Sequence, residues 1–225
     1  MDVGKFRAFQ NGANRVVSAV FLIFFTSPLW AMPVFINELH YDDQGADSGE
    51  GVEISGPAGT DLNNWQLLFY NGGNGEVYKT LTLSGLIPDA GSGMGFMAAS
   101  VSGIQNGAPD GLALINDQGG VIQFLSYEGT FSATNGAANG LLSNDIGVIQ
   151  DGSTIEGLTL QLAGVGSGSE DFHWTTDQES FGAVNIGQTF VAQIQPVPLP
   201  GALGLLCSGL IALSACGRNR KRAIA

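Results

Sequence analysis

Six acidic residues within a span of 16 positions are the densest group of potential ligands in the chain: Glu38, Asp42, Asp43, Asp47, Glu50 and Glu53. Calcium takes about six to eight oxygen ligands, mostly from carboxylates and carbonyls. Asp42, Asp43, Asp47 and Glu50 are therefore weak candidates for a calcium site, although the D-x-D-x-D-G order of an EF-hand loop is absent. The alternative is a solvated acidic loop, because runs of charge are usually solvated.

Signatures of catalysis are missing from the sequence. It contains no G-x-S-x-G elbow, no H-E-x-x-H pair and no phosphate-cradling loop. We interpret His40 and His173 as surface or strand-edge residues rather than as a base or metal ligands. We expect no enzymatic activity and no cofactor other than the calcium just considered. Two carboxylates meeting across a cleft would still suit hydrolysis, so a secreted hydrolase, or an accessory domain of a secreted nuclease, stays open as an alternative.

Charge is distributed very unevenly along the chain. The net charge is −12, but residues 32–195 hold nineteen acidic residues and one basic residue, Lys79, for a net charge of −18. A protein needs Lys and Arg to displace the counterions of nucleic acids, so this body is not expected to bind nucleic acid. An acidic body stays soluble and attracts cations.

The N-terminal residues 1–31 have the layout of a secretory signal peptide. Lys5, Arg7 and Arg15 precede an apolar stretch over 16–30, and the small residue Ala31 offers a cleavage point. An uncleaved N-terminal membrane anchor is the alternative interpretation.

The C-terminal residues 196–225 consist of a proline-rich motif, an apolar run and a basic cluster. The run over 199–216 would be about 27 Å long as a helix, close to the hydrocarbon thickness of a bilayer. The basic residues after it favour the cytoplasmic side, namely Arg218, Arg220, Lys221 and Arg222. We therefore expect a transmembrane helix with the body outside. Both cysteines, Cys207 and Cys216, lie in this run, which excludes a disulfide scaffold in the body.

The body, residues 32–195, reads as one all-β domain. Short runs rich in Val, Ile, Phe and Tyr alternate with clusters of Gly, Asn, Asp and Ser, a pattern typical of a two-sheet sandwich or a barrel. Nine strands are predicted, over 34–41, 52–55, 65–71, 77–83, 93–99, 111–115, 121–127, 158–162 and 188–194. Residues 117–120 predict a hairpin turn, and residues 130–157 predict a loop insertion.

The C-terminal layout resembles a sorting signal of the PEP-CTERM type in its VPLP form, with the motif Val197, Pro198, Leu199 and Pro200. Leu199 stands where Glu is commonest in such signals. The resemblance covers about 27 residues and implies processing by an exosortase-type membrane peptidase. It also implies export in connection with extracellular polysaccharide.

The body resembles a lamin-tail domain in three early segments: 34–39 (VFINEL), 50–54 (EGVEI) and 61–67 (DLNNWQL). Segments 121–127, 172–174 and 181–185 also fit. Gly51 replaces the usual aromatic residue, and Asn63-Asn64 replaces Ser-Gly. The resemblance implies an immunoglobulin-like β-sandwich, flanked here by a signal helix and a transmembrane helix. The motif residues expected to serve the fold are Asn37, Glu38, Glu50, Glu53, Asp61 and Trp65.

Together these features predict an exported protein. We expect it to pass transiently through the inner membrane and then reach the cell envelope or extracellular matrix. The expected role is structural, adhesive or binding, linked to exopolysaccharide, and a calcium-dependent recognition module is the first alternative.

We expect residues 61–65 to form a turn that leads into a core tryptophan.

Overall fold

Short apolar runs separated by turns rich in Gly, Asn and Asp build two β-sheets in the computed structural model, which describes residues 33–91 and 93–191. The strands are β1 (Phe35–His40), β2 (Gly51–Pro57), β3 (Gln66–Asn71), β4 (Glu76–Thr82), β5 (Met94–Ser100), β6 (Asp110–Ile115), β7 (Val121–Tyr127), β8 (Asn144–Asp145), β9 (Leu158–Gly166), β10 (Phe172–Gln178) and β11 (Gln188–Phe190). A single 3-10 turn, Ser169–Asp171, precedes β10. The predicted all-β class is thus confirmed at the level of two sheets.

The first sheet has the strand order β10-β9-β1-β2-β5, with β11 added in parallel to β9. The second sheet has the order β4-β3-β6-β7-β8. All pairings are antiparallel except β11 with β9 and β8 with β7. Every predicted strand overlaps an observed one, whereas β8 and β10 were not predicted. The predicted hairpin is confirmed, since Gly119 N donates to Asn116 O between β6 and β7.

A continuous apolar core fills the space between the sheets. Leu39, Val52 and Leu160 of the first sheet join Leu67 and Leu112 of the second in one buried cluster. Alternate residues of each strand point into this cluster because successive side chains of a strand face opposite sides. The two sheets therefore pack face to face, as in a β-sandwich.

An aromatic pair closes one end of the core. The rings of Tyr41 and Tyr127 stack with centroids 3.9 Å apart and an interplanar angle of 15°. The Tyr41 hydroxyl donates to Glu128 Oε1 at 3.0 Å and accepts from Gln150 N at 2.8 Å. Burial raises the pKa of both tyrosines. The pair therefore fixes both ends of the long loop after β7 against the core.

The predicted insertion after β7 covers the outer face of the second sheet. Phe131, Ala133 and Ala138 of this loop pack with Tyr70 and Phe124 in a second buried cluster. The phenyl rings of Phe124 and Phe131 meet edge to face, 5.3 Å apart. The loop thus packs its apolar side chains against the sheet and does not extend into solvent.

Among the described residues, no helix is long and apolar enough to cross a bilayer. The predicted signal peptide over 1–31 and the sorting signal over 196–225 lie outside the described residues, as does the predicted transmembrane run.

A substitution at Gly95 in β5 measures how tightly the edge strand of the first sheet packs against the backbone of Pro88. A Cβ atom at Gly95 would lie 1.5 Å from the carbonyl oxygen of Pro88, which belongs to the backbone. Gly95→Ala should lower the free energy of unfolding by about 2–3 kcal/mol, because overpacked sites force the backbone to move. Chemical denaturation measures the change. Gly152→Ala is the matched control, since nothing lies within 4 Å of a Cβ there, and an equal loss in both variants would contradict the packing.

Candidate functional site

A row of polar residues crosses the outer face of the first sheet. Glu38 of β1 is in register with Glu53 of β2 on one side and with Gln161 of β9 on the other. Leu39, Val52, Ile54 and Leu160, which adjoin them along the strands, belong to the core cluster, so these three side chains face outward. All three are nevertheless fully buried, with 0% exposure. Something must therefore cover this face and satisfy their hydrogen bonds.

The cover is the last described part of the chain, residues 179–190, called here the C-terminal strap. Ser180 donates to Glu38 twice, from its backbone N to Oε1 at 2.9 Å and from its hydroxyl to Oε2 at 3.0 Å. The Gly182 backbone N donates to Glu53 Oε2 at 2.5 Å. The two side-chain carboxyl groups thus hold the strap by accepting hydrogen bonds from its backbone amides.

A bulge in β1 adds a third contact. The pairing of β1 with β2 shifts between Ile36 and Glu38, which leaves Asn37 without a partner in the ladder. The Asn37 side chain donates to Glu53 Oε1 at 2.9 Å and accepts from Gln188 Nε2 at 2.7 Å. A bulge of this kind redirects a side chain, and here it joins β2 to β11 of the strap.

Asn185 fills a gap between two strands. The pairing of β1 with β9 comprises only Glu38–Gln161 and Leu39–Leu160. Beyond it, the Asn185 side-chain amide donates to the carbonyls of Asn37 and Leu162, each at 3.0 Å. The strap thereby replaces ladder hydrogen bonds with one buried side chain, which is 2% exposed.

Phe181 explains the glycine at position 51. A Cβ atom at Gly51 would meet the Phe181 ring at 3.4 Å and the Ala99 carbonyl oxygen at 3.0 Å. The strap therefore places the Phe181 ring directly over the Gly51 backbone.

We define the clamp as Asn37, Glu38, Glu53, Asn185 and Gln188 together with the strap residues that bond to them. Burial determines the pKa values of its two carboxyl groups. Burial raises the pKa of Glu53 to about 8, while hydrogen bonds from Asn37 and Gly182 oppose the rise and the charge of Glu38 adds to it. Burial also raises the pKa of Glu38. Each carboxylate oxygen already accepts a hydrogen bond. The arrangement can therefore bind the strap and take up a proton.

An open cleft of about 480 Å³ borders the clamp between the strap and β5. Phe96, Val184 and Phe190 form apolar walls, and Gln188 links the cleft to the clamp.

The acidic residues after β1 take up different positions. Glu50 accepts from the backbone N of Gly103 and Ile104, at 2.5 and 2.7 Å. Asp43 accepts from the Ser48 hydroxyl at 3.2 Å. Within 33–91 and 93–191, no group of three or more His, Cys, Asp or Glu side chains is arranged to hold a metal ion. The calcium hypothesis for Asp42, Asp43, Asp47 and Glu50 stays a prediction.

Asp61 and Trp65 serve the turn before β3. Asp61 Oδ1 accepts from the Asn63 backbone N at 2.9 Å, and Asn64 has a positive φ of 67°. Trp65 is partly buried against the main core.

The expectation of a surface position for His40 was wrong. His40 is 3% exposed, and its Nε2 lies 2.9 Å from the Ser48 carbonyl oxygen. Its Nδ1 lies 2.8 Å from Gln150 Nε2. The two distant loops that supply these partners are not visible in the local sequence. His173, in contrast, is exposed on the edge strand β10.

Sequence reasoning missed the residues that complete the clamp: Gln161, Ser180, Asn185 and Gln188. The one available signal was the fit of residues 181–185 to the lamin-tail pattern, which marked this segment without giving its contacts.

Asn185→Ala should lower the free energy of unfolding by about 2–4 kcal/mol, because it leaves two buried carbonyls without donors. Thermal and urea denaturation measure the loss. Asn139→Ala is the control, since Asn139 is exposed and should change stability by less than about 0.5 kcal/mol. Equal effects of the two substitutions would contradict the bridging role.

Glu53 should make the domain less stable as pH rises. Its pKa is about 8 in the folded protein and 4.5 as the reference value, so the folded state binds more protons between these values. Stability gained from this group is complete below about pH 4.5 and is lost as pH rises through about 8. Glu53→Gln should reduce the loss of unfolding free energy between pH 5 and 8.5 by about 2–4 kcal/mol. The exposed control Glu76→Gln should leave that loss unchanged. Unfolding curves from pH 5 to 8.5 measure both, and a slope unchanged in Glu53→Gln would refute the assignment.

Comparisons with known proteins supply no relative. No family model matches the chain, and no curated protein or solved structure matches it. The functional conclusion therefore rests on the clamp, the cleft and the two ends of the sequence.

Proposed function

We propose that this is an exported structural or adhesive protein of the cell envelope or extracellular matrix, working within or against extracellular polysaccharide. Its body is proposed to be an immunoglobulin-like sandwich of the lamin-tail type. An exosortase-type peptidase would process the tail after transient residence in the inner membrane. The observation that carries the proposal is the clamp, because it fastens the last part of the body immediately before the chain continues toward the sorting motif.

The clamp supports the lamin-tail assignment residue by residue. Asn37, Glu38 and Glu53 belong to the first two of the three early segments of the resemblance, and Asn185 ends the last segment. Asn185 lies more than 100 positions from the other three, yet all four share one buried hydrogen-bond network. Four motif residues from distant parts of the chain thus serve a single structural task.

A C-terminal segment that is bonded to the sheet suits a protein that is sorted and processed through its tail. Residues 188–190 pair with β9 in the first sheet, and the motif 197–200 follows a few residues later. A pull on the tail would therefore act first on the strap, whose hydrogen bonds are made within the domain. The net charge of −18 in the body supports a role that does not involve nucleic acid.

The test is intact mass and cell fractionation of the native protein. We expect the loss of residues 1–31 and of the tail beyond about Pro200, with the protein in the matrix or outer envelope. Pro198→Ala with Pro200→Ala should leave an uncut precursor in the inner membrane, whereas the control Pro196→Ala should be processed normally. An intact tail on wild-type protein in the inner membrane would contradict the proposal.

The calcium-dependent recognition module is a second candidate, favoured by two observations. Burial first, and then the charges of Asp47 and Asp151, raise the pKa of Asp42, and Asp43 Oδ1 is buried without a hydrogen-bond partner among the described residues. A cation would relieve both. Calcium should then raise the melting temperature, and Asp42→Asn with Asp47→Asn should abolish the rise. No shift in the wild-type protein would end this candidate.

A further inference from the structure

The strand β10 forms an outer edge of the first sheet. It pairs along its whole length with β9, from Phe172–Gly164 to Gln178–Leu158. No other strand within residues 33–91 and 93–191 pairs with it. Its second side therefore presents backbone groups that the ladder with β9 does not use.

The hydrogen bonds around β9 show which groups these are. Glu179 N donates to Gly157 O, so this pair belongs to the bonded positions between β10 and β9. Gly164 N donates to Gly187 O, on the opposite side of β9 from β10. Because bonded and non-bonded pairs alternate in an antiparallel ladder, residues 173, 175 and 177 bond to β9. Residues 172, 174, 176 and 178 point outward.

Five of the outward groups lack a partner among the described residues: the N–H and C=O of Trp174 and of Thr176, and the C=O of Phe172. Gln178 is already satisfied, since its N donates to Asp177 Oδ1 and its carbonyl accepts from Gln161 Nε2. The N–H of Phe172 donates to Ser169 O. The residues with both outward groups open are thus Trp174 and Thr176, on either side of Thr175.

The composition of β10 does not protect this edge. Natural edge strands usually carry Lys, Pro or a bulge that blocks a further strand. The sequence FHWTTDQ has none of these and is rich in residues that favour strands. Its single acidic residue is Asp177.

We infer that the β10 edge is an interaction surface for a second copy of this chain, with two β10 strands pairing antiparallel about Thr175. This register places Trp174 opposite Thr176 of the second copy, and the reverse. The N–H and C=O groups of Trp174 and Thr176 then all form bonded pairs. A register centred on Trp174 or Thr176 would instead use groups of Phe172 or Gln178 that are already bonded.

The same register gives complementary side chains. His173 lies opposite Asp177 of the second copy in both halves of the pair. These are non-bonded positions, where Cα atoms of partner strands are about 4.5 Å apart and side chains are closest. Two His–Asp pairs therefore flank the four hydrogen bonds and favour this register over shifted ones.

The charge of the body sets the conditions for pairing. Two bodies of net charge −18 repel each other, and salt screens this repulsion over about 10 Å at 0.1 M. Pairing should therefore be weak at low ionic strength and stronger at high ionic strength. This inference is independent of the proposed export and sorting.

Disulfide trapping of the full chain in detergent tests the pairing directly. The background is Cys207→Ser with Cys216→Ser, which removes both native thiols. Thr175→Cys should form a disulfide-linked dimer on mild oxidation, because about 4.5 Å between Cα atoms suits a disulfide. The control is Thr80→Cys, at an exposed position on β4, an edge strand of the second sheet. Equal trapping in both variants, or none in either, would overturn the inference.

Charge reversal tests the register. In the Thr175→Cys background, His173→Asp places carboxylates opposite each other and should reduce trapping about tenfold. Adding Asp177→His should restore it. Failure of the double variant to recover would overturn the register centred on Thr175.

A proline tests the hydrogen bonds. Thr176→Pro removes an outward N–H without removing a bond to β9, so it should abolish trapping while the melting temperature changes little. Undiminished trapping in a folded Thr176→Pro variant would overturn the inference.

Discussion

The buried carboxylates of Glu38 and Glu53 are the constraint on which the rest of the first sheet depends. Burying a carboxylate without hydrogen-bond partners has a high free-energy cost, and both side chains lie on the outer face of a sheet. The strap supplies the missing donors from Ser180 and Gly182. Without the strap these groups would face water, and the outer face of β1 and β2 would be open.

The two sheets solve the same problem with different chemistry. Phe131 and its neighbours cover the second sheet by apolar packing, whereas the strap covers the first sheet by buried hydrogen bonds together with the rings of Phe181 and Phe190. Apolar packing tolerates small shifts in position. A hydrogen-bond network admits only the arrangement in which each donor meets its acceptor. The polar cover therefore fixes the path of the chain immediately before the tail.

This difference matters for the proposed function. Under the proposed function, the clamp holds the segment that precedes the tail in a defined place, with residues from β1, β2 and β9. The proton uptake expected of Glu53 follows from the same burial. Stability and position are thus governed by one cluster rather than by separate parts of the fold.

Much of the fold was predictable from local patterns. The apolar runs of β1, β6 and β7, together with the turn at 117–120, depend on neighbouring residues and were identified correctly. β10 was missed because its polar residues interrupt the apolar runs used to find strands, although its Phe, Trp and Thr residues favour strands.

The clamp could not be predicted in the same way. Glu38 and Ser180 are 142 positions apart, and Asn37 and Asn185 are 148 apart. No periodicity links such residues. The acidic group after β1 illustrates the converse, because residues close in sequence separate into different tasks. Glu38 and Glu53 hold the strap, while Glu50 holds the loop after β5.

Native-state hydrogen exchange at the Ser180 and Gly182 amides tests the central claim most directly. The account predicts that both amides exchange with a free energy of opening close to that of the core strands β1 and β2, since the strap opens only when its buried carboxylates are exposed. Rapid exchange of both amides, with β1 and β2 still protected, would show that the strap is loosely attached and would contradict the account.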